Sequence, residues 1–177
     1  KMSRALAHRI SKLGYSILTG GGGGIMEAAN RGALEAGGPS LGINIKLPDE
    51  QTPNRYLSAE LECSYFFSRK TALSFAAEAY IFFPGGYGTL DEFFELVTLI
   101  QTKKIPAVPL ILIGRDYWEP LNEFIYAQMY VAHNAIREHD MKIYRITDDE
   151  NEAISIIEAA ANGKGEARNK SGIEPLY

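Results

Sequence analysis

The stretch YSILTGGGGGIMEAANRGALEA, residues 15–36, carries the pattern on which the fold prediction rests. Tyr15 to Thr19 predicts a short β-strand, and five consecutive glycines, Gly20–Gly24, follow it directly. Ile25 to Ala36 consists of good helix formers and is followed by Gly37-Gly38, which predicts a helix with a glycine stop. The stretch therefore predicts a strand, a tight glycine turn and a helix.

The same alternation continues along the chain. Leu6, Ile10 and Leu13 recur at the spacing of one helix face, so the chain opens in an amphipathic helix. Further strands are predicted at Leu41–Ile45, Ala79–Phe83, Pro109–Ile113 and Ile143–Ile146, and further helices at Ser68–Ala77, Leu90–Gln101, Leu121–Val131 and from Asp148 or Asp149 to about Ala161. Short apolar strands that alternate with helices predict an α/β fold, a mostly parallel sheet covered by helices on both faces.

The length of 177 residues predicts a single compact domain. We assign residues 1–161 to this domain and residues 162–177, which are polar and contain glycine, to a mobile tail. Sheets of this kind usually open with a strand, and here a helix comes first. We therefore expect that the natural chain is longer and that a strand precedes this helix.

Composition excludes several functional classes. The formal net charge is −4 with no strongly basic stripe, so nucleic-acid binding is not expected. No apolar run approaches the roughly 18 residues of a membrane span, and the N-terminus lacks the apolar core of a signal peptide. Cys63 is the only cysteine and cannot form an intrachain disulfide, which favours a reducing compartment. We expect a cytoplasmic protein.

The first glycine loop, Gly20–Gly24, lies between a predicted strand and a predicted helix. In parallel α/β folds ligands bind beyond the carboxyl ends of the strands, and the start of a helix attracts anions. The spacing matches neither the dinucleotide fingerprint G-x-G-x-x-G/A nor a Walker A loop, which needs Gly-Lys-Ser/Thr. The loop is either a tight turn or a ligand site, and its context favours a phosphate or ligand role.

The second glycine loop, Pro84–Thr89, also follows a strand and precedes a helix. Thr89 and Glu92 have the spacing of a capping box, in which both side chains would satisfy the helix start. A cap does not require the three glycines before Thr89, however. They favour a loop that wraps around an anion.

The segment PGGYGTLDE, residues 84–92, resembles the PGGxGTxxE motif of the Lonely Guy (LOG) family, whose members were labelled "possible lysine decarboxylase". TGGGGGIMEAANRGA, residues 19–33, resembles the family's first glycine loop and helix. FFSRKTAL, residues 66–73, resembles the segment that carries its Arg-Lys pair. The resemblance covers nearly all of residues 15–161.

This resemblance implies a Rossmann-like, doubly wound fold and a homodimer. It implies hydrolysis of the N-glycosidic bond of a nucleoside 5′-monophosphate to a free base and ribose 5-phosphate. The substrate would be a cytokinin riboside 5′-monophosphate, as in the best known members, or AMP and other ordinary nucleotides. We expect no cofactor and no metal.

The family's catalytic residues correspond to Arg69 and Glu92, and Lys70 follows Arg69 as in the motif. A carboxylate can stabilise the oxocarbenium character that develops on the ribose. A permanently charged guanidinium can hold phosphate or ribose hydroxyls. The residues expected to bind substrate are Gly21, Gly22, Gly23, Glu27, Lys70, Gly85, Gly86, Gly88 and Thr89.

Two polar residues near the first loop allow alternatives. Glu27 lies three residues after Gly24 and is either part of a helix-start cap or a second acid near the ligand. Asn44 ends a strand and either touches the base or serves turn chemistry.

Competing hypotheses were weighed on chemistry. A pyridoxal phosphate decarboxylase needs a Schiff-base lysine, and nothing around Lys70 indicates one. Cys63 has no nucleophile motif, and the histidines have no metal-ligand spacing. A nucleotide-binding sensor without catalysis remains the alternative, although it would need neither Arg69 nor Glu92. The helix Leu90–Gln101 is apolar nearly all round, so it is buried either by its own sheet or by a partner subunit.

Overall fold

The computed structural model describes residues 1–46 and 52–171, with side chains as far as Asn162. Over these residues the chain is an α/β protein with parallel strand pairing, and this prediction is confirmed. The strands are β1 (Ile17–Thr19), β2 (Ser40–Ile45), β3 (Ala59–Cys63), β4 (Tyr80–Phe82), β5 (Leu110–Ile113) and β6 (Tyr144–Thr147). The α-helices are α1 (Met2–Lys12), α2 (Ile25–Glu35), α3 (Phe66–Phe75), α4 (Tyr87–Gln101), α5 (Arg115–Phe124) and α6 (Glu150–Ser171).

The chain divides into two compact units, Lys1–Ala77 and Glu78–Tyr177. The first contains a three-stranded sheet in the order β1-β2-β3, and the second one in the order β4-β5-β6. All pairs are parallel, so within each unit the three carboxyl ends of the strands lie at one edge of its sheet. Both glycine loops follow such an end.

The largest differences from the sequence prediction concern β3, α4, α5 and α6, and the other elements shift by one or two residues at their ends. β3 was missed because it alternates carboxylates with apolar residues, and its first four residues are exposed. α4 begins at Tyr87 rather than Leu90. α5 begins at Arg115 and contains Pro120, which sequence rules place at helix starts and breaks. α6 continues to Ser171, ten residues beyond the end predicted at Ala161.

Two shorter elements complete the second unit. α5 continues directly as a π-helix, Ile125–Ala132, and a 3₁₀ helix, Glu138–Lys142, leads into β6. No α-helix in the described part of the chain is both long and apolar enough to cross a membrane. The division into a domain at 1–161 and a tail at 162–177 stays a prediction, and residues 172–177 lie outside the described part.

In the first unit, α1 and α2 pack closely through Gly32. A Cβ on Gly32 would lie 2.2 Å from the carbonyl oxygen of Arg4, so a larger residue would force the helices apart. Ser3 Oγ donates a hydrogen bond of 3.0 Å to the carbonyl oxygen of Ile25. Arg4 and Glu35 form an exposed ion pair across the same contact. This packing holds the start of α2, and with it one end of the first glycine loop.

The core of the second unit is built around Phe93 of α4, which is 1% exposed. Its ring contacts the rings of Phe82, Trp118 and Tyr144, with centroids 5.2 to 5.7 Å apart. The remaining apolar side chains of α4 also pack against this cluster, namely Leu90, Phe94, Leu96, Val97, Leu99 and Ile100. The apolar character of this helix is therefore explained within its own unit, and the homodimer stays a prediction.

Tyr144 places a phenol beside this aromatic core. Its hydroxyl donates a hydrogen bond of 2.8 Å to Asn122 Oδ1. Burial, together with the nearby charge of Glu119, raises the pKa of Tyr144 to about 12. The phenol therefore stays protonated in the folded protein under all ordinary conditions.

We expect Phe93→Ala to destabilise the protein by about 3–5 kcal/mol, because it removes a buried ring that contacts the rings of Phe82, Trp118 and Tyr144. Phe124→Ala is the matched control: Phe124 is 56% exposed at the end of α5, and its loss is expected to cost less than about 1 kcal/mol. Urea unfolding monitored by circular dichroism measures both. Equal losses for the two variants would contradict the central position of Phe93.

Candidate functional site

The first glycine loop joins the carboxyl end of β1 to the start of α2. Gly21 and Gly22 are buried, whereas Gly23 and Gly24 are exposed. Gly21 has a φ of +75°, and a Cβ there would lie 2.0 Å from Asn44 Oδ1. Both the backbone conformation and the contact with Asn44 therefore require glycine at this position.

A network of hydrogen bonds between buried polar side chains supports this loop. Asn30 of α2 is 0% exposed, and its Oδ1 accepts hydrogen bonds from Thr19 Oγ1 (2.7 Å) and Asn54 Nδ2 (2.9 Å). Its Nδ2 donates to Ser40 Oγ and to the carbonyl oxygen of Leu41. The side-chain amide of Asn30 is thus fully paired, as burial demands, and it joins β1, α2 and β2.

Asn54 connects this network to the loop itself. Its backbone N–H donates to the carbonyl oxygen of Gly21 at 2.9 Å. Its Nδ2 lies 3.1 Å from the Gly21 oxygen and 3.0 Å from the Gly22 oxygen. The N–H of Gly21 in turn donates to Thr19 Oγ1 at 2.9 Å. Hydrogen bonds within the first unit therefore fix the conformation of the loop.

Arg69 lies beside the same loop, within the first unit. It belongs to the second turn of α3, and its Nε donates a hydrogen bond of 2.9 Å to the carbonyl oxygen of Ile43 in β2. Its guanidinium covers Gly20, where a Cβ would lie 2.2 Å from Nη2. The structure thus brings one predicted catalytic residue to the loop that was predicted to bind substrate.

The other polar residues predicted in this unit differ in their surroundings. Glu27 lies in the first turn of α2, with Oε2 3.9 Å from the position of a Cβ on Gly23, and no side chain among the described residues caps this helix by a hydrogen bond. An acidic residue in the first turn stabilises the start of a helix, so both alternatives for Glu27, a helix-start role and a second acid near the ligand, stay predictions. Asn44 Nδ2 is 3.3 Å from Glu60 Oε2. Lys70 is half-buried next to Arg69, about 100° further round α3.

The second glycine loop joins β4 to α4 in the second unit. The N-cap of α4 is Gly86, and no described side chain caps it. A Cβ on Gly86 or Gly88 would meet no described atom within 4 Å, and Tyr87 is 94% exposed. The first N–H groups of a helix lack acceptors within the helix, and the side-chain positions of Gly86 and Gly88 beside them are unobstructed by described atoms.

Thr89 lies inside α4, so the capping-box interpretation of Thr89 and Glu92 is wrong. The helix starts two residues before Thr89, and the Thr89 N–H donates to the carbonyl oxygen of Gly86 at 3.1 Å. Its hydroxyl folds back against Gly85, where a Cβ would lie 2.1 Å from Oγ1. The Thr89 side chain thus packs against Gly85 of the loop and does not cap the helix.

Glu92 is half-buried on α4. It lies three residues after Thr89 and four after Gly88, a spacing that puts the three residues on one face of the helix. Since Thr89 contacts Gly85, this face is the one that adjoins the glycine loop. Glu92 is therefore not part of a capping box with Thr89, and its catalytic role stays a prediction.

Sequence reasoning missed two residues that hold the loops, Asn54 and Tyr117. The Tyr117 hydroxyl donates a hydrogen bond of 2.8 Å to the carbonyl oxygen of Gly85. Neither residue lies in a glycine motif, and an isolated Asn or Tyr in sequence carries no signal of a contact about 32 residues away. Among the described residues, no group of three or more His, Cys, Asp or Glu side chains is arranged to hold a metal ion.

We expect Asn54→Ala to destabilise the first unit by about 1–3 kcal/mol, because it leaves buried oxygens of Gly21, Gly22 and Asn30 without this donor. Asn44→Ala removes the same side chain from a half-buried position and is expected to cost less than about 1 kcal/mol. Chemical denaturation measures both. A loss from Asn54→Ala no larger than that from Asn44→Ala would contradict the role of the network.

Comparison with known proteins identifies the family to which this chain belongs. The family model described as "Possible lysine decarboxylase" matches residues 26–157. The rice protein "Cytokinin riboside 5'-monophosphate phosphoribohydrolase LOG" (Oryza sativa subsp. japonica) is 30% identical over 142 residues, which are 78% of this chain and 57% of that protein. The chain spans 50% to 57% of the length of other plant relatives it matches.

Solved structures show the same fold. The X-ray structure of TM1055 is 28% identical with a TM-score of 0.67, and the match covers 89% of this chain and 86% of that one. The molybdenum cofactor carrier protein MCP from Chlamydomonas reinhardtii is 23% identical with a TM-score of 0.66 over 91% of this chain and 86% of that one. The family model covers about three quarters of the chain, and this chain therefore belongs to the "Possible lysine decarboxylase" family, the Lonely Guy family.

Proposed function

We propose that this protein is a nucleoside 5′-monophosphate phosphoribohydrolase, which hydrolyses the N-glycosidic bond to a free base and ribose 5-phosphate. The observation that carries the proposal is the start of α4. It is the start of a 15-residue helix whose N-cap, Gly86, makes no side-chain capping bond, and a Cβ on Gly86 or Gly88 would meet no described atom within 4 Å. Such a start offers N–H groups and a positive dipole end to a 5′-phosphate.

The neighbouring helix of the same unit supports this assignment by contrast. The start of α5 is already occupied, because the carboxylate of Asp148 accepts hydrogen bonds from the N–H groups of Gly114 (2.7 Å) and Arg115 (3.2 Å). Both helix starts lie at the carboxyl edge of one sheet. One is filled by a carboxylate of the chain itself, and the other has no acidic residue in its first turn.

Arg69 and Glu92 would perform the chemistry. Arg69 is permanently charged and is held by Ile43 and Gly20, so it would bind phosphate or ribose hydroxyls with little loss of side-chain entropy. The Glu92 carboxylate would stabilise the oxocarbenium character of the ribose and orient the attacking water. Water adds to C1′, the C–N bond breaks, and the base leaves with the proton.

The names of the relatives support this reaction class. Several plant proteins and one from Rhodococcoides fascians are named cytokinin riboside 5'-monophosphate phosphoribohydrolases. We propose a nucleoside 5′-monophosphate as the substrate. The two main candidates are a cytokinin riboside 5′-monophosphate and AMP. A homodimer and a cytoplasmic location belong to the same proposal.

A product assay tests the proposal directly. The protein is incubated with AMP, GMP, CMP, UMP and isopentenyladenine riboside 5′-monophosphate, and the free base and ribose 5-phosphate are quantified by chromatography. We expect both products in equal amounts from at least one nucleotide. Binding of a nucleotide without release of a base would instead favour the nucleotide-binding sensor.

We expect Glu92→Gln to lower kcat by about 10²–10³-fold, because the amide keeps the shape of the side chain but not the charge that stabilises the transition state. KM should change less than threefold. Asp91→Asn, an equivalent change at an exposed residue of the same helix, should leave both constants within twofold. Full turnover in Glu92→Gln, or an equal loss of nucleotide affinity, would contradict a catalytic Glu92.

A further inference from the structure

The hydroxyl of Tyr117 contacts the backbone of the second glycine loop from outside the motif. It donates a hydrogen bond of 2.8 Å to the carbonyl oxygen of Gly85. We propose that Tyr117 is a positioning residue, which orients the N–H of Gly86 toward the substrate phosphate. The inference rests on the proposed function and extends it to a residue that the motif does not include.

The argument depends on the planarity of the peptide bond. The carbonyl of Gly85 and the N–H of Gly86 belong to one peptide unit, so a contact that fixes the oxygen also fixes the direction of the N–H. With glycine on both sides, this unit would otherwise rotate readily. Gly86 is also the N-cap of α4, so its N–H belongs to the group that the proposed phosphate would meet.

Tyr117 is itself held firmly. Its ring packs edge-on against Trp118, with centroids 4.9 Å apart and an interplanar angle of 84°. Trp118 is 1% exposed, and its Nε1 donates to the carbonyl oxygen of Ile113 at 3.1 Å. Because Tyr117 is fixed against the core, its hydrogen bond fixes the position of Gly85 relative to the core.

The turn before Tyr117 adds a second point of contact with the loop. Gly114 has a φ of +108°, and a Cβ there would lie 2.9 Å from Cγ of Pro84. The N–H of Gly114 is bound by Asp148, and its carbonyl oxygen accepts the N–H of Tyr117 at 3.0 Å. The turn at Gly114–Tyr117 thus contacts both Pro84 and Gly85. Asp148, which directly follows β6, holds this turn in place by its hydrogen bond to Gly114.

Tyr117→Phe tests the proposal, because it keeps the ring and removes only the hydroxyl. Loss of one hydrogen bond, about 1 kcal/mol, corresponds to about fivefold in affinity. We expect KM for the nucleotide and Ki for ribose 5-phosphate to rise about fivefold, with kcat within twofold. Ki for the free base should not change, because the base does not contact the phosphate loop. Tyr126→Phe, at an exposed tyrosine of the π-helix, is the matched control and should change none of these constants.

Asp148→Asn is the second variant. It weakens the anchor of the same turn while keeping an acceptor oxygen, and it should raise Ki for ribose 5-phosphate selectively but less than Tyr117→Phe. It decides the matter if Tyr117→Phe does not fold. An unchanged Ki for ribose 5-phosphate, or an equal rise for ribose 5-phosphate and free base, overturns the positioning role.

Direct binding separates this inference from the proposed function. Ribose 5-phosphate is titrated into ¹⁵N-labelled protein, and the Gly86 amide resonance is followed. If the unsubstituted protein binds ribose 5-phosphate but releases no base, the hydrolysis is overturned. The comparison of dissociation constants with Tyr117→Phe then still decides the role of Tyr117. If the unsubstituted protein releases base but does not bind ribose 5-phosphate, the hydrolysis stands and the positioning role of Tyr117 is overturned. If it neither releases base nor binds ribose 5-phosphate, both proposals are overturned.

Discussion

Close approach of side chains to glycine backbone is the constraint on which both candidate loops depend. In the first unit, Arg69 lies where a Cβ of Gly20 would be, and Asn44 where a Cβ of Gly21 would be. In the second unit, the hydroxyl of Thr89 occupies the corresponding space at Gly85. The glycines are therefore required by their neighbours as much as by any ligand, and an alanine at these positions would displace a residue of the candidate site.

Each loop is also held by a polar side chain from elsewhere in its own unit. Asn54 binds the carbonyl oxygens of Gly21 and Gly22, and Tyr117 binds that of Gly85. These carbonyl oxygens accept hydrogen bonds from the protein itself, whereas the start of α4 has no side-chain cap among the described residues. A loop arranged in this way is preorganised for an anion, because the orientation of its donors does not have to be established when the ligand binds.

The starts of α4 and α5 lie at the same edge of the second sheet but differ in what binds them. The carboxylate of Asp148 accepts hydrogen bonds from the N–H groups at the start of α5, so this helix start has a structural role. The start of α4 differs in having glycines before it and no carboxylate nearby in its first turn. This difference makes the start of α4, rather than that of α5, the candidate binding site at this edge of the sheet.

The α/β class, the parallel sheets and both glycine loops followed from the sequence alone, because strand and helix periodicity and glycine runs are local signals. The family also followed from the sequence, since PGGYGTLDE and the Arg69-Lys70 segment occur together and in order. Sequence failed where a local pattern competed with packing. The spacing of Thr89 and Glu92 suggested a capping box, but the helix begins earlier, at Tyr87. Strand β3 was missed because an exposed strand carries little apolar signal. Only the tertiary structure revealed Asn54 and Tyr117, because a contact between residues about 32 positions apart is made by the fold and leaves no periodicity in the chain.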